Sequence, residues 1–490
     1  MFIQITPEGV VYRNTEKERL SILLLAPFHS FYEDYETRRA GCPLGLEMIA
    51  AELVAKEFNV IFIDACLSAY NQLTKQEDGT VRYGLTDEQL KSTLSHYQPD
   101  IVGITSLFSN QSHNVELVTK IVREVYPNTI IVEGGGHASG AVDEVLNSAD
   151  IVVRSEGIIT FTKLCEAIEN KQDYHSLNGI SYLNEEGTII HSPNQKFLQD
   201  LDILAPRLLE MPLHPMYDTE EHSGGSRKTT EGRHIYLMTS LGCPMHCEFC
   251  LSDLMSGPKT RFFSLERIEK DIQRFKEKGV TEIIIEDDQF LEDIPRALRV
   301  MDILKKYELF WFEEGGISLF KLMKTNYKQL IDKMANSFCY RFYLAIESAN
   351  PKSLRESKKP TINTNAIYAE ETISYIRDKK IETVGGFMIG FKTNGYEETL
   401  EDMERTISYA KRLKKAGLTY VMLFIYTALP GTKVFSSLKH LLTSYSSHER
   451  SSFPVGGLTP TELTDKRIEW LLEINKEQQT LAHKKKNWGL

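Results

Sequence analysis

The sequence predicts an α/β chain in two parts: a doubly wound parallel sheet, then a partial barrel of six β/α units with a helical tail. Three observations predict it. Short apolar runs alternate with helix-period segments from 21 to 167, a second alternation starts at 234, and a connector rich in Pro, Gly, Ser and charge lies between them. The 490 residues, 41% hydrophobic and 26% charged, suit about three globular domains. The expected boundaries are 1–195 for the sheet domain with a hairpin, 196–233 for a linker or mobile loop, 234–435 for the barrel and 436–490 for a helical extension.

The first alternation opens with Ile22-Leu23-Leu24-Leu25-Ala26, continuously apolar as in a strand buried on both faces. Residues 43–57 follow with helical period, placing Leu46, Ile49, Ala50, Leu53 and Val54 on one face. Further strands are expected at 60–63, 101–104, 129–132 and 151–153, with helices at 114–126 and 158–169. Sheets of this kind bind ligands outside the carboxyl ends of their strands. Small and polar residues collect there: Thr105-Ser106-Leu107-Phe108-Ser109, Glu133-Gly134-Gly135-Gly136-His137-Ala138-Ser139-Gly140 and Arg154-Ser155-Glu156-Gly157. The glycines suit close backbone approach to a bulky ligand and equally suit a tight turn. Neither G-x-G-x-x-G nor G-x-x-x-x-G-K-[ST] occurs, which weakens a nucleotide-phosphate reading. Residues 179–183 and 188–190, around Asn184-Glu185-Glu186-Gly187, predict the hairpin.

In the second alternation strands are expected at 235–238, 282–285, 309–312, 342–346, 386–389 and 420–425, with amphipathic segments such as 265–278, 294–307 and 366–379. Directly after its first strand stands Leu241-Gly242-Cys243-Pro244-Met245-His246-Cys247-Glu248-Phe249-Cys250. This C-x₃-C-x₂-C run lets three thiolates of one short loop point at one centre. A fourth nearby cysteine is missing, and an open position marks reactive rather than structural sites. On spacing alone, a zinc knuckle completed by a distant His or Cys, or three unrelated buried thiols, stay open as alternatives. The loop falls on the rim where barrel catalysis is located. In the tail, Thr459-Pro460-Thr461-Glu462 opens a helix, with Thr at the N-cap and Pro at the first helical position. Leu463, Leu471, Ile474 and Leu481 form its apolar stripe, expected to pack on the barrel and to carry no catalytic group.

The net charge of −11 argues against nucleic acid or an anionic membrane as a bulk electrostatic partner. Lys484-Lys485-Lys486 suits a solvated helix end. No run is apolar for the roughly 20 residues of a membrane helix, and the first residues lack the pattern of a secretory signal. Seven cysteines, three of them in one motif, do not resemble a disulfide framework. Cys42, Cys66, Cys165 and Cys339 are expected as ordinary thiols in a reducing, cytoplasmic setting.

A strand, then C-x₃-C-x₂-C, then a six-unit barrel resembles the radical S-adenosylmethionine (SAM) enzymes. The resemblance implies that Cys243, Cys247 and Cys250 hold a [4Fe-4S] cluster whose remaining iron takes the amino and carboxylate groups of SAM. It implies that Phe249, the aromatic before the third cysteine, lies near the adenine. Thr239-Ser240-Leu241-Gly242-Cys243-Pro244 also looks like this family. Asp287 and Asp288, in Glu286-Asp287-Asp288-Gln289-Phe290, look like its D-D-x-F element and stand where other branches bind the SAM amino group; capping the helix from Ile294 is a compatible role. Glu347-Ser348 matches ribose and carboxylate contacts, and Gly386-Phe387-Met388-Ile389-Gly390 resembles the segment that backs the adenine. Leu429-Pro430-Gly431-Thr432 fits the same pattern. One departure is the usual Pro-Gly-Glu turn, replaced here by the longer Phe391-Lys392-Thr393-Asn394-Gly395-Tyr396-Glu397-Glu398.

The sheet domain ahead of the barrel resembles the cobalamin-dependent branch, that of class B radical SAM methyltransferases. Pro43-Leu44-Gly45-Leu46, the Gly134-Gly135-Gly136 run and Ser155-Glu156-Gly157 carry the likeness, which spans about 22 to 432. It implies a Rossmann-like domain whose cobalamin contacts are Thr105, Ser106, Gly134, Gly135, Gly136, His137, Glu156 and Gly157. The D-x-H-x-x-G pattern of other cobalamin domains is missing from Ala26-Pro27-Phe28-His29-Ser30-Phe31, and His137-Ala138-Ser139-Gly140 follows the wrong strand. Cobalt is therefore expected without a protein histidine, and His29 as an ordinary loop residue.

The implied chemistry is reductive cleavage of SAM, hydrogen abstraction from an unactivated carbon, and methyl transfer from methylcobalamin to a small-molecule or natural-product substrate. Alternatives are a cobalamin-dependent rearrangement, cyclisation or ring contraction, a radical SAM enzyme without cobalamin, and a non-enzymatic cobalamin or zinc module. The partners implied are the substrate and a one-electron reductant such as flavodoxin or ferredoxin, with no nucleic acid and no membrane. Substrate contacts are expected from 218–233, from a rim at Glu313-Glu314-Gly315-Gly316 and from 436–457, with Tyr217, Tyr340 and Tyr426 nearby.

Overall fold

The structure is a computed structural model that describes residues 1–32, 41–217, 221–222, 225–226, 232–324, 326–359, 366–442 and 450–476. The lysine run, Leu481, residues 443–449 and most of the 218–233 loop lie outside the described residues. The chain divides into two compact units. One is Met1–Leu237 with Leu251–Gly257 and Arg261–Val280; the other is Met238–Cys250, Pro258–Thr260 and Thr281–Leu490.

Continuous apolar runs demand cover on both faces, and the first unit supplies it. Its nine-stranded sheet has the spatial order Phe2–Thr6, Gly9–Arg13, Asn59–Asp64, Ser21–Ala26, Ile101–Thr105, Ile130–Gly134, Ile151–Val153, Ile180–Leu183 and Ile189–His191. The five central strands are parallel and are the five expected from the sequence. Along Ser21–Ala26, Ile22, Leu24 and Ala26 enter one core with Leu46, Ala50 and Leu53 of helix Leu44–Ala55 and Phe161 and Leu164 of helix Gly157–Glu169. Leu23 and Leu25 enter the opposite core with Leu90 of helix Asp87–Leu94 and Val115, Val118 and Val122 of helix Ser112–Val125. The strand order reverses direction beside Ser21–Ala26, which places a ligand crevice at the carboxyl ends of that strand and its neighbour Ile101–Thr105.

Three parts differ from the sequence expectation. An N-terminal antiparallel hairpin, Phe2–Thr6 with Gly9–Arg13, extends the sheet through Asn59–Asp64. Its second strand buries the short apolar run Val10-Val11-Tyr12, while Phe2, Ile3 and Ile5 of the first are exposed. The segment expected as a loop around His29 contains strand His29–Tyr32, which joins Thr80–Tyr83 and Leu73–Lys75 in a small sheet. His29 lies there with its ring edge-on to Tyr83, so it is a strand residue rather than a loop residue. Finally, the described part of the expected linker is packed, with Leu201, Leu204, Leu209, Met211 and Tyr217 buried.

The same connector is tied down by a charge pair. Helix Leu44–Ala55 carries Glu47 on its buried face, and Arg207 meets both of its oxygens. Arg207 also donates to the Tyr236 carbonyl at 2.9 Å. Glu47 is wholly buried and Arg207 nearly so. Each ion has lost its water and depends on the other.

The six expected barrel strands form a second sheet in plain chain order: Arg233–Leu237, Val280–Ile285, Phe310–Ser318, Cys339–Glu347, Glu382–Ile389 and Tyr420–Ile425. The last five run parallel. The third is longer than expected, so Glu313-Glu314-Gly315-Gly316 lies inside a strand rather than in a rim loop. Its register slips between Glu313 and Ile317, as at a β-bulge. The sixth leaves an open edge, and the tail covers it. Helix Pro460–Ile474 starts in the expected capping box of Thr459 and Glu462. Arg467 Nε donates to the Leu423 carbonyl at 2.8 Å, and Asn475 bonds the Val421 carbonyl at 2.9 Å and its amide at 3.3 Å. Edge groups that would otherwise invite another chain are thereby satisfied.

Replacing Glu47 by Ala strands the Arg207 guanidinium in a dry site and is expected to lower unfolding stability by about 3–5 kcal/mol. Urea unfolding followed by far-ultraviolet circular dichroism checks this; a loss of less than about 1 kcal/mol would mean that the pair behaves as a surface salt bridge.

Candidate functional site

The three-cysteine loop takes its shape from its backbone and from one acidic turn. Gly242 and His246 have φ of +94° and +54°, which turns the chain twice between 242 and 250. Directly before the loop, the Asp287 carboxylate accepts four hydrogen bonds. Its Oδ1 takes the amides of Thr239 (2.5 Å) and Ser240 (3.1 Å), and its Oδ2 takes their hydroxyls at 2.5 and 2.7 Å. Asp288 Oδ2 accepts from the Gly242 amide at 2.9 Å. Arg296, from helix Ile294–Lys306, donates to the Thr239 carbonyl at 2.8 Å. Farther on, the Glu248 amide bonds the Ser357 carbonyl at 2.9 Å. Asp287 is fully buried; burial pushes its carboxyl up, and the Thr239 and Ser240 donors pull it back. The pair expected on the SAM amino group therefore grips the loop, and the oxygens of Asp287 are fully engaged.

Burial pushes the Cys247 thiol up to about 12 and raises Cys243 as well. The thiols act on one another, and the Lys359 ammonium acts against burial at both. Among the described residues no three His, Cys, Asp or Glu side chains have metal-binding spacing. The donor set still fits an iron–sulfur cluster: three soft thiols on one short, externally braced loop beside the half-buried Lys359 ammonium.

Lys359 is the functional candidate that sequence reasoning missed. Its ammonium lies 2.8 Å from Glu347 Oε1. Burial lowers its pKa, but Glu347 and the Cys247 and Cys250 sulfurs more than offset that. No motif surrounds it; only the fold delivers it. Glu347 closes the fourth strand with φ +66°, helix Pro351–Glu356 follows, and Lys358 at φ +54° turns Lys359 back. Ser348, expected beside Glu347 as a ligand contact, is buried and committed elsewhere. Its hydroxyl accepts from the Asn350 amide at 3.0 Å and shares a 3.1 Å bond with Thr406.

Phe249 is half-buried and stands edge-on to two rings, Phe391 at 6.4 Å and Tyr426 at 6.1 Å. Phe391 and Tyr426 pack with centroids 5.1 Å apart. Tyr426 is wholly buried and its hydroxyl has no hydrogen-bond partner. An unmatched buried hydroxyl in an aromatic corner suits a flat ligand with polar edges.

The fifth-strand glycines have separate causes. A Cβ on Gly386 would stand 1.7 Å from the Tyr343 hydroxyl, so Gly386 makes room for a neighbouring ring. Gly390, at φ +78°, donates to Glu398 Oε2 at 2.7 Å, as Phe391 does at 3.1 Å. Glu398 Oε1 accepts from Ser353 at 2.9 Å, and burial raises its carboxyl to about 7. The long turn is thus a small hairpin, Lys392–Thr393 with Tyr396–Glu397, closed on one buried carboxyl.

In the first unit the fold brings most of the expected cobalamin contacts together. Thr105 pairs with Gly134, and Gly134 with Val153, at adjacent strand ends. Gly135 has φ +114°, and a Cβ there would stand 2.7 Å from the Ser106 carbonyl oxygen. The glycine run therefore seats its own backbone against 106–107 and then enters the short helix Gly136–Gly140. His137 is buried, its Nδ1 lies 3.1 Å from Ser109 Oγ, and burial lowers its pKa to about 4, which keeps the ring neutral. Glu156 is taken up within its own unit, by Arg261 at 3.0 Å and the Leu198 amide at 3.0 Å. Gly157 opens helix Gly157–Glu169, with room for a Cβ limited by Val153 at 3.2 Å. Leu107 and Phe108, at the same strand end, are 47% and 50% exposed. Such an apolar ledge suits a macrocycle, and only the register of the sheet reveals it.

Residues 38–164 match the family model for the B12 binding domain, and residues 237–409 match that of the Radical SAM superfamily. The chain is 27% identical over 439 residues to the cytidylyl-2-hydroxyethylphosphonate methyltransferase of Streptomyces wedmorensis, covering 84% of this chain and 80% of that protein. It is 29% identical over 404 residues to an uncharacterized methyltransferase of Pyrococcus horikoshii, covering 81% and 78%. Among solved structures it is similar to the radical SAM methyltransferase TsrM from Kitasatospora setae, with cobalamin and a [4Fe-4S] cluster bound. That match has a TM-score of 0.64 at 15% identity over 86% of this chain and 78% of that one, a likeness of fold. With both domains present in the expected order, a B12 binding domain and then a domain of the Radical SAM superfamily, the chain belongs to the cobalamin-dependent radical SAM enzymes.

Proposed function

We infer that this enzyme transfers a methyl group to an unactivated carbon of a small-molecule substrate. The observation that carries the reading is the union, in one chain, of a B12-binding sheet and a braced three-cysteine loop at the mouth of a β/α sheet. The methyltransferase relatives support it. When bound, the cofactors supply a carbon radical and a methyl group, chemistry that polar side chains cannot perform.

The protein's own work is to hold and orient. Cys243, Cys247 and Cys250 would hold the cluster, with Asp287, Asp288 and Arg296 bracing their loop. The Lys359 ammonium, anchored on Glu347, offsets the thiolates and offers a donor to an anionic group beside them. Phe249, Phe391 and Tyr426 would accept the adenine, with the Tyr426 hydroxyl as the polar contact. Gly390 and its Glu398 clamp fix the backbone next to that corner. Thr105, Ser106 and Gly134 to His137 would seat cobalamin with Leu107 and Phe108 under its apolar face, and His137, turned to Ser109, leaves cobalt without a protein histidine.

Radical SAM enzymes take their electron from an external reductant, here of the flavodoxin or ferredoxin class. Among the described residues no helix is long and apolar enough to cross a membrane, and a reducing cytoplasm suits the cluster.

Anaerobic turnover with methyl-labelled SAM tests the reading. A labelled methyl group in the product together with S-adenosylhomocysteine is expected, whereas an isomerised, unlabelled product would replace methyl transfer by rearrangement. Cys243→Ala, Cys247→Ala and Cys250→Ala should each abolish 5′-deoxyadenosine formation; retained cleavage in any of them would remove that cysteine from the cluster. Asp287→Ala, which removes four hydrogen bonds from the segment before the loop, should weaken cluster retention by about 10- to 100-fold, as loss of an outer support does. Iron and sulfide analysis after a chelator challenge measures this, and unchanged cobalamin absorbance controls for folding of the first unit.

A further inference from the structure

Two segments flank the cysteine loop within its own unit, and both are basic. Residues 350–359 carry Lys352, Arg355, Lys358 and Lys359 against one acid, Glu356. Residues 427–442 carry Lys433 and Lys439 and no acid. The whole chain has the opposite bias, 57 Lys and Arg against 68 Asp and Glu, so this stretch of surface reverses the sign of the protein around it.

Both segments are fastened to the loop itself. The Glu248 amide donates to the Ser357 carbonyl at 2.9 Å, and the Glu248 carbonyl accepts from the Val434 amide at 3.4 Å. The Glu248 carboxylate pairs with the Lys358 ammonium, which removes the one acid of the loop as a competing charge. On the other side the Lys433 ammonium donates to the His246 carbonyl at 3.5 Å. Cys247 thus lies between two residues that are each bonded to a basic segment. Lys352, Arg355, Lys358, Lys433 and Lys439 are exposed, as is His246, whereas Lys359 is half-buried on Glu347. Lys352 and Lys439 stand over the rings of Tyr396 and Phe435, at 5.0 and 5.7 Å, rather than on carboxylates.

Exposed cations on the backbone of a loop that must receive an electron suit one kind of partner. Electron transfer weakens steeply with distance, so its donor has to settle against the loop. Such encounters use small interfaces, below about 1,200 Å², and opposite charge steers them. A nucleic acid fits less well, because its long run of phosphates would meet the rest of a chain whose net charge is −11. We propose that the strip of Lys352, Arg355, Lys358, Lys433 and Lys439 docks an acidic protein that carries one electron. The carrier loses that electron, the group held by the three cysteines gains it, and no covalent bond forms or breaks. The assignment rests on the reading of Cys243, Cys247 and Cys250 as the cluster loop.

The test uses the reconstituted full chain, with a bacterial flavodoxin and a bacterial ferredoxin, both acidic, as probes in anaerobic surface plasmon resonance. Binding is expected, with affinity falling by at least about tenfold as salt rises from about 0.02 to about 0.2 M. Arg355→Glu combined with Lys439→Glu should weaken it by about tenfold or more, chiefly through slower association. The same variant should form 5′-deoxyadenosine normally when dithionite supplies the electron. Lys305→Glu is the control; it makes the same charge change at the far end of helix Ile294–Lys306 and should alter binding by less than about twofold. Unaltered binding by the double variant, equal weakening by Lys305→Glu, or no binding of either carrier would overturn the proposal. Displacement of flavodoxin by duplex DNA would also overturn it, by making the strip a polyanion site. So would self-association in sedimentation that the double variant abolishes, which gives the strip to a second copy. Lys352→Glu provides the same comparison should the double variant fail to fold. Dithionite bypasses the carrier, so failure of the cluster reading and failure of docking show up in separate measurements.

Discussion

The site depends on how one buried carboxylate is satisfied. The Asp287 carboxylate is met by two amides and two hydroxyls from Thr239 and Ser240. A buried carboxylate left unpaired is too costly to keep, so the chain before the cysteine loop is held where those four donors meet. Asp288 adds the Gly242 amide, and Arg296 closes the Thr239 carbonyl. The cysteines themselves contribute little to this. Their spacing allows convergence, but the acidic turn at the end of the neighbouring strand sets where the loop begins.

Several acids in each unit follow the same logic. Glu398 closes the fifth-strand hairpin with the amides of Gly390 and Phe391 and the Ser353 hydroxyl. Glu347 is matched by Lys359, and Glu156 by Arg261. In each case the partner is supplied from within the same unit, which makes the carboxyl a brace. Glu313 is different, because one of its oxygens is matched and the other is not.

The architecture was legible wherever burial is two-sided. The central strands of the first sheet and Val280–Ile285 of the second appear as apolar runs because both their faces are covered, while Tyr420–Ile425 is apolar throughout yet fully buried only at alternate residues. The N-terminal hairpin buries only the short run Val10-Val11-Tyr12 and leaves Phe2, Ile3 and Ile5 in solvent, a weaker signal, and strand His29–Tyr32 was hidden by its Ser and His. The site was legible in residue type more than in role. The cysteine spacing, Phe249 and the acidic pair could be found, but the hydrogen bonds that Asp287 makes to Thr239 and Ser240, and Ser348 to Asn350 and Thr406, could not. Gly386 is a glycine because Tyr343 occupies its space. Such roles depend on what stands across a strand or a turn, and Lys359 shows the converse, a plain surface-type sequence whose ammonium the fold delivers to the thiols.

The tail helix has a consequence for how the chain matures. Arg467 and Asn475 complete hydrogen bonds for Leu423 and Val421, residues made some fifty positions earlier. During synthesis the Tyr420–Ile425 strand therefore emerges with a bare rim that nothing yet translated can cover. Until the helix leaves the ribosome, that rim is a template for a stray strand, and the unit cannot finish closing. Completion of the fold is thus gated by a helix that arrives well after the strand it covers.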